Sequence, residues 1–360
     1  QQKRCNMWSL LGKKISGFSG SFEGTSQYQI IELLGAGGMG SVYKAKLKGV
    51  NGFEKIVAIK TLLDKYTNDP KFVARFIEEA KMVANLIHEN IVQIYQLNRT
   101  KAGYYFVLEF VDGVSLHDFL EFHRKIRAAM PPELAVFVAA RIARGLAYAH
   151  SRRDPDGNLL NIVHCDVCTH NIMINSEGVP KIMDFGIAKA ANRAGIDGIS
   201  GKLGFMAPEQ AVKGAQVDFA ADIYSLGVAL FAMLSGGQLT RNLQGELPQI
   251  LEEIRSNHIA WERLPQDLNP ALNNILHTML ETDPRNRFNS TAQLARELEY
   301  YIYKDGYGPT IVTMAEYMRK IMPGIFGEIT TETPAPVVDE SGKTLCLPQP
   351  PDDDATTVIP

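Results

Sequence analysis

The sequence is poor in cysteine and tryptophan and has no long hydrophobic run. It contains four cysteines and two tryptophans in 360 residues. Four dispersed thiols do not indicate the disulfide framework of a small secreted protein. No apolar run approaches the roughly 18 residues that a membrane-spanning helix needs, and no signal peptide is recognisable. We therefore expect a cytoplasmic protein without a membrane span.

The sequence also lacks a strong excess of either charge. Its net charge is −3, but residues 331–360 hold six acidic residues and one lysine, a net of −5, so residues 1–330 carry +2. A nearly neutral body of this kind does not predict a nucleic-acid groove or a polybasic membrane surface.

The hydrophobicity pattern divides the chain into an arm, one two-lobed domain and two C-terminal segments. Residues 1–26 predict a partly disordered arm. Residues 27–111 predict five strands and one main helix, whereas residues 112–303 are mainly helical. Residues 304–330 predict a short helical extension, and the acidic, proline-rich residues 331–360 predict a disordered tail. The fold class is therefore α+β, with an antiparallel first lobe and a helical second lobe.

Three polar residues of the second lobe form a set that suits phosphoryl transfer. Asp166, Asn171 and Asp184 fall within nineteen residues, and short apolar, strand-like runs separate them. One carboxylate can orient an incoming hydroxyl and accept its proton. A second carboxylate and an amide oxygen can hold Mg²⁺ against the phosphates.

A glycine-rich turn in the first lobe is a candidate phosphate site. It lies between the predicted strands Tyr28–Leu34 and Ser41–Leu47. It therefore closes a hairpin and does not join a strand to a helix, which argues against a dinucleotide site. Glycines let backbone N–H groups approach a phosphate closely. The turn consists of Gly35, Ala36, Gly37, Gly38, Met39 and Gly40.

These segments resemble the protein-kinase signature of a glycine-rich loop, His-Arg-Asp-(x)4-Asn and Asp-Phe-Gly. Other matches follow in the family's order, including a strand that ends in Lys60, an Ala-Pro-Glu at 207–209, and Arg287. The amino-acid sequences of Asp184–Ala190 and Phe205–Gln210 most resemble the corresponding motifs of bacterial eukaryotic-like (Hanks-type) Ser/Thr kinases.

The resemblance implies a bilobal protein-kinase fold that binds ATP and Mg²⁺ between its lobes. In the family, the strand lysine, here Lys60, binds the α- and β-phosphates. Asp166 would be the catalytic base, and Asn171 and Asp184 would hold the metal. The other ATP-binding positions that the resemblance implies are the glycine-rich turn, Val42, Ala58, and the hinge residues Glu109 and Val111.

The family also implies three supporting contacts. A helix glutamate fixes the strand lysine; we favour Glu79, which lies nine residues before a His-Glu-Asn-Ile-Val segment, over Glu78. Arg287 would pair with Glu209. Asp222, on a buried helix, would bond to the backbone of the catalytic segment.

The first departure from the family is Cys165, which replaces the arginine of His-Arg-Asp. In many kinases that arginine binds a phosphate on the activation loop and thereby orders the loop. A cysteine cannot do so, and residues 187–206 contain a single hydroxyl amino acid, Ser200. We predict that loop phosphorylation is not the main on-switch.

The second departure is Cys168, which stands where Ser/Thr kinases usually carry a lysine that neutralises charge on the γ-phosphate. Lys202 and His170 are two candidate replacements. We prefer Lys202, because lysine is fully charged at pH 7 whereas an unperturbed histidine is mostly neutral.

Cys165 and Cys168 also form a Cys-x-x-Cys motif, which leaves three interpretations open. Zinc binding lacks a second Cys/His pair at a fitting spacing. Oxidation of the pair would distort the loop that holds Asp166. The favoured interpretation is that two small side chains fill space.

The predicted function is ATP-dependent phosphorylation of Ser and Thr hydroxyls on proteins. The alternative is a pseudokinase that serves as a nucleotide-binding scaffold, which the missing catalytic-loop lysine favours. Thr356 and Thr357 follow an acidic run and are candidate autophosphorylation sites. Phosphorylated, they could bind FHA-like phosphothreonine-binding domains. A merely solubilising tail is an equal alternative.

Overall fold

The computed structural model describes residues 21–22, 27–37, 40–61, 70–100, 103–185 and 203–326. Within these ranges the side chain of Glu79 is among the few that are not described. The predictions that fall outside the described residues are those on Gly38, Met39, Ser200, Lys202, Thr356, Thr357, most of the arm and the whole acidic tail.

The first lobe is built on one antiparallel sheet with the strand order β1-β2-β3-β4-β6-β5. Its strands are β1 (Ser21–Phe22), β2 (Gln27–Gly37), β3 (Gly40–Lys48), β4 (Glu54–Thr61), β5 (Ile94–Thr100) and β6 (Gly103–Glu109). The five predicted strands are present, and the two-residue β1 extends one edge. β5 starts three residues inside the apolar run Ile91–Leu97. The residues on either side of Ile91, Asn90 and Val92, form backbone hydrogen bonds with Ile182 of the second lobe instead.

The alternation of side chains along these strands gives the sheet two apolar faces. Ala58 and Leu108 lie in one cluster together with Ala80 of helix α1 (Pro70–Ala84). Val57 and Ile59 lie in a separate cluster on the opposite face. Because neighbouring residues of a strand point to opposite sides, one strand contributes to both clusters. The single main helix therefore covers only one face of the sheet.

The second lobe is helical. Its helices are α2 (Leu116–Ile126), α3 (Pro132–His150), α4 (Phe219–Leu234), α5 (Leu247–Ser256), α6 (Pro270–Met279), α7 (Thr291–Tyr303), α8 (Ile311–Ile321) and α9 (Pro323–Phe326). α4 is buried continuously from Ala220 to Leu234, as expected for a helix that is apolar on all sides. Of the helices in the described ranges, none is long and apolar enough to cross a membrane.

Polar side chains cap the helices close to the predicted starts. The Ser115 hydroxyl accepts a hydrogen bond from the Asp118 N–H at the start of α2, and Ser290 does the same for Gln293 at the start of α7. Such caps satisfy backbone donors that have no partner within the helix. The Gln293 side chain returns to the N–H of Asn289, one residue earlier than a capping box requires.

A small three-stranded sheet joins the lobes beside the catalytic segment. It consists of β7 (Gly113–Ser115), β8 (Ile172–Asn175) and β9 (Pro180–Ile182), in that order. The Ile182 N–H donates to the Asn90 carbonyl, and the Val92 N–H donates to the Ile182 carbonyl. The catalytic segment ends where β8 begins, and Asp184 lies two residues after β9. The sheet therefore sets the spacing between Asp166 and Asp184.

Candidate active site

Asp222, fully buried in α4, holds the backbone of the catalytic segment. Its two carboxylate oxygens accept hydrogen bonds from the N–H groups of His164 and Cys165, each at 2.8 Å, and His150 Nε2 lies 2.9 Å from Oδ2. Burial alone would raise the pKa of this carboxyl, but the bond and charge of His150 and the N–H of His164 outweigh it. The pKa of Asp222 therefore lies below its usual value. The predicted contact between Asp222 and the catalytic segment is confirmed.

Asp166 is oriented by Asn171. The amide Nδ2 of Asn171 donates to the Asp166 carboxylate at 2.8 Å and to the Asp166 backbone carbonyl at 2.7 Å. Because Nδ2 is engaged in this way, Oδ1 is the atom that Asn171 offers to a cation. An amide oxygen and a carboxylate are hard donors that suit Mg²⁺, which takes its remaining ligands from phosphate and water. Asn171 Oδ1 and the Asp184 carboxylate therefore fit the predicted metal.

Lys60 crosses the cleft to Asp184. Its Nζ lies 2.7 Å from Asp184 Oδ1, and Lys60 is only 7% exposed. The structure thus brings the predicted phosphate-binding lysine of the first lobe to the predicted metal-binding carboxylate of the second. Asp184 has a φ of +66°, a conformation that costs a residue with a Cβ some backbone strain.

His164 supports the residues on either side of Asp184. Its ring meets the Phe185 ring edge to face with centroids 4.6 Å apart. Its Nε2 lies 2.9 Å from the Met183 carbonyl, and its Nδ1 accepts from the Asp166 N–H at 3.2 Å. A carbonyl can only accept, so the two contacts together define a neutral ring with its proton on Nε2. His164 therefore links the backbones of Asp166 and Met183.

The two candidate helix glutamates have different outcomes. Glu78 is exposed and pairs with Lys81, one turn further along the helix, at 2.7 Å. Glu78 is therefore a solvent-facing charge on the helix surface and does not serve as the partner of Lys60. Glu79 lies in the same helix, but its side chain is outside the described set, so its pairing with Lys60 stays a prediction.

Apolar residues from both lobes meet at the expected position of the adenine ring. Val42, Ala58 and Val111, all predicted, belong to one cluster with Leu108 and Met183. Flat apolar walls of this kind suit a heteroaromatic ring whose polar edge bonds to backbone groups. The cluster therefore supports the predicted base-binding end of the cleft.

The glycine-rich turn closes a hairpin, as predicted. Gly35 pairs with Val42, Ala36 with Ser41, and Gly37 with Gly40. The register of β2 and β3 therefore continues up to residues 38 and 39. The hairpin lies beside β4, which carries Lys60.

The segment after the activation loop is tied to the helical lobe. Arg287 donates to both carboxylate oxygens of Glu209, at 2.7 and 2.9 Å, which confirms the predicted pair. Gln210 makes a second connection, because its Nε2 donates to the Cys165 carbonyl at 3.2 Å and its Oε1 accepts from the Ala207 N–H at 2.9 Å. Gln210 was not among the predicted functional residues, although it directly follows the Ala-Pro-Glu motif.

Neither residue that departs from the family places a charge in the cleft. Cys168 is fully buried in the main core, as the space-filling interpretation requires. Cys165 is half-buried and has a φ of +62°. His170 is exposed, and its ring stacks on His117 of α2 with centroids 3.8 Å apart. No pattern in the sequence indicates that His117 contacts His170, because the two residues lie more than fifty positions apart.

The fold and the site define a protein kinase. The profile of the protein kinase domain matches residues 28–300, about three quarters of the chain. The chain therefore belongs to the protein kinase family, and the predicted resemblance is confirmed.

The relatives are mostly bacterial Ser/Thr kinases. The chain is 32% identical over 76% of its length to the probable serine/threonine-protein kinase CPE1738 of Clostridium perfringens, and 30% identical over 89% to PrkC of Bacillus subtilis. It is 34% identical over 84% to MasK of Myxococcus xanthus, which is named a tyrosine-protein kinase. These alignments span 38–46% of each relative, so the chain matches less than half of each.

A solved structure supports the fold. The crystal structure of the Mycobacterium tuberculosis PknI kinase domain is 25% identical and has a TM-score of 0.56. The match covers 76% of this chain and 95% of that domain. The bilobal fold with an antiparallel first lobe and a helical second lobe is therefore confirmed.

Proposed function

We propose that this chain transfers the γ-phosphoryl group of ATP to Ser or Thr hydroxyls of proteins. The observation that carries the proposal is that the four predicted residues lie in two contacting pairs. Asn171 Nδ2 lies 2.8 Å from the Asp166 carboxylate, and Lys60 Nζ lies 2.7 Å from Asp184 Oδ1. Asn171 connects the predicted base to the predicted metal site, and Lys60 connects the metal site to the predicted phosphate site. The Hanks-type relatives support the same activity.

The proposed reaction needs one proton acceptor and stabilisation of spreading phosphate charge. The acceptor hydroxyl oxygen forms a bond to the γ-phosphorus, and the bond from that phosphorus to the bridging oxygen of ADP breaks. The hydroxyl proton passes to the carboxylate of Asp166, which Asn171 has already oriented. Lys60 holds the α- and β-phosphates. Mg²⁺, when bound by Asn171 and Asp184, neutralises phosphate charge.

We further propose that Lys202 supplies the cation that position 168 lacks. The support is indirect: Cys168 is buried, and His170 is stacked on His117 at the surface. Lys202 stands five residues before Ala207, on the segment that Gln210 ties to the catalytic loop.

A pseudokinase is the second candidate function, and the burial of Cys168 is the observation that favours it. In this version the cleft binds nucleotide and the chain acts as a scaffold without transferring phosphate. The retention of Lys60, Asp166, Asn171 and Asp184 favours the enzyme.

The test compares the wild-type chain with Asp166→Asn in autophosphorylation with labelled ATP and Mg²⁺. Mass spectrometry locates the sites, and phosphoamino-acid analysis separates Ser/Thr from Tyr, which the name of MasK makes necessary. An active kinase incorporates label on Ser or Thr, and Asp166→Asn abolishes it. No incorporation by the wild type, with an ATP-induced thermal shift still present, would establish the scaffold.

The other parts of the chain follow from this function. We propose residues 27–303 as the kinase domain, in the cytoplasm, where ATP is available, with residues 304–330 as a helical extension. We propose that Thr356 and Thr357 are autophosphorylated and then bound by FHA-like domains of partner proteins. Alanine at both positions should abolish the capture of such a domain by the autophosphorylated chain.

A further inference from the structure

The side chain of the hinge residue Glu109 is held from two directions. Lys181 Nζ lies 2.9 Å from its Oε1, and the backbone N–H of Gln93 donates to its Oε2 at 3.2 Å. The Glu109 N–H donates in turn to the Gln93 carbonyl at 2.9 Å. Three contacts thus fix Glu109, one of the two hinge residues that are predicted to bind ATP.

Lys181 lies in the strand that leads to the metal-binding carboxylate. It is the middle residue of β9, three residues before Asp184. The next residue, Ile182, exchanges backbone hydrogen bonds with Asn90 and Val92 of the first lobe. Any displacement of β9 therefore moves Lys181 and Asp184 together.

The ion pair is well shielded from solvent. The Lys181 and Glu109 side chains are 13% and 24% exposed. The ion pair between Lys46 and Glu54, which joins two strands of the first lobe, is 32% and 45% exposed. Salt and water weaken a shielded pair less than an exposed one, so the Lys181–Glu109 pair has the greater capacity to fix geometry.

We infer that Lys181 is a positioning residue for the nucleotide base. Its ion pair holds Glu109 so that the backbone of the hinge stays in the orientation that bonds adenine. Because Lys181 is carried by β9, the same pair keeps the base-binding end of the cleft in register with Asp184. This role rests on the proposed ATP binding. The observations that support it are the contacts of Glu109 and the position of Lys181 in β9.

The simpler interpretation is a pair that stabilises the fold and nothing else. The two interpretations differ in the ligand that they affect. A positioning role changes the affinity for the base itself, including adenosine, which has no phosphate. A purely structural role changes the melting temperature but leaves the affinity of the folded protein unchanged.

The experiment compares Lys181→Met with the wild type in the full chain. We measure Kd for adenosine, and KM for ATP and kcat at saturating Mg²⁺. We expect Kd for adenosine and KM for ATP both to rise about 3- to 10-fold, while kcat stays within about two-fold of the wild-type value. The reason is that contacts to the base bind the substrate and the transition state equally. Lys181→Arg should restore most of the affinity, since an arginine can pair with the same carboxylate. The matched control is Lys46→Met, which removes the more exposed ion pair with Glu54. It should leave Kd for adenosine and KM for ATP unchanged.

A double-mutant cycle tests whether Lys181 acts through Glu109. Glu109→Gln alone should weaken adenosine binding about as much as Lys181→Met does, and the double variant should be no weaker than either single variant. Glu109→Gln also serves as the test if Lys181→Met does not fold.

Three results would overturn the inference. The first is unchanged adenosine affinity in Lys181→Met, and the second is additive effects in the cycle. The third is a higher KM for Mg²⁺-ATP with an unchanged Kd for adenosine. This result would mean that Lys181 acts on Asp184 and not on the base-binding hinge. A chain that binds adenosine normally but transfers no phosphate would refute the proposed kinase activity and leave this inference standing, whereas a wild type that does not bind adenosine would refute the inference.

Discussion

At the scale of single residues, Asp222 holds the backbone of the catalytic segment. It accepts hydrogen bonds from two consecutive backbone N–H groups and contacts His150, whose Nδ1 in turn lies 2.6 Å from the Thr291 hydroxyl. The catalytic segment is therefore connected through one carboxylate to three helices of the second lobe: α4, which carries Asp222, α3, which carries His150, and α7, which carries Thr291. Its position depends on that carboxylate being ionised.

The first prediction concerns Asp222→Asn. The amide would offer one acceptor where the carboxylate offers two, so one N–H of the catalytic segment would lose its partner and Asp166 would shift. We expect kcat to fall about 100-fold, the usual effect of a displacement of about 1 Å, with KM for ATP nearly unchanged. Asn90→Asp, a change at another buried side chain of the lobe boundary, is the control for general damage to the fold. An equal loss in KM and kcat would contradict the prediction.

The second prediction is the pH dependence of the same substitution. The pKa of Asp222 is lowered in the folded chain, so its contribution to stability is present above the unfolded pKa, about 3.9, and is lost as the pH falls through the folded value. The difference in unfolding free energy between wild type and Asp222→Asn should be constant near pH 7 and shrink below about pH 4. Denaturant titrations at several pH values measure it, and a difference that grows in acid would be the wrong sign.

The third prediction separates the two candidate cations. If Lys202 neutralises the γ-phosphate, Lys202→Met should lower kcat about 10²- to 10³-fold, as the loss of one transition-state donor does elsewhere. His170→Gln should change kcat less than about three-fold, because His170 is exposed and stacked on His117. Steady-state kinetics decide between them, and equal small effects would remove Lys202 from the mechanism.

At the scale of elements, helix α8 packs in close contact with the turn between β8 and β9. Gly178 has a φ of +84°, and a Cβ built there would lie 2.0 Å from the Ile311 carbonyl oxygen and 2.7 Å from the Ala315 nitrogen. On its other side α8 contacts α2, where Tyr317 donates its hydroxyl proton to buried His123 Nε2 at 2.7 Å. Burial raises the pKa of Tyr317 to about 12. The extension is therefore a packed part of the second lobe.

The fourth prediction compares two glycines with the same backbone conformation. Gly178→Ala combines backbone strain with a collision against α8, and we expect a loss of about 2–4 kcal/mol in unfolding free energy. Gly157 has a φ of +88° and nothing within 4 Å, so Gly157→Ala should cost about 1 kcal/mol from strain alone. Thermal unfolding of both variants gives the difference. Equal melting temperatures would mean that α8 is not docked on this turn.

At the scale of the whole molecule, the region that follows the activation loop is fixed from the second lobe. Ser225 donates to the Phe205 carbonyl at 2.8 Å, and buried Arg241 donates to the Met206 carbonyl at 3.1 Å. Gln210 and the Glu209–Arg287 pair add two further connections. None of these contacts involves a phosphate, so residues 205–210 keep their positions in the unmodified chain.

The fifth prediction is that phosphorylation of the activation loop does not switch the enzyme on. Ser200→Ala should leave kcat and KM within about two-fold of the wild type, because Cys165 cannot bind a phosphate and the contacts above replace its ordering effect. Gln210→Ala should lower kcat more than Ser200→Ala, since it removes a contact to the catalytic segment. A stoichiometric phosphate on Ser200 that tracks activity would contradict this prediction.

The sequence by itself determined the family and the order of the elements, and it predicted the residues of the candidate site. Phosphoryl transfer requires particular functional groups at fixed separations along loops, so Lys60, Asp166, Asn171 and Asp184 are visible as a pattern of types and spacings. Hydrophobic periodicity is likewise local, and it predicted the five strands.

Only the tertiary structure decided which distant side chains meet. It stacked His170 on His117 and placed Lys181 against Glu109, and the residues of each pair are separated by tens of positions in the sequence. Spacing along the chain carries no information about such contacts, because they depend on how β9 and α2 pack against the rest of the fold. The burial of Cys168 is of the same kind, since the direction of a side chain in a loop is set by its packed neighbours.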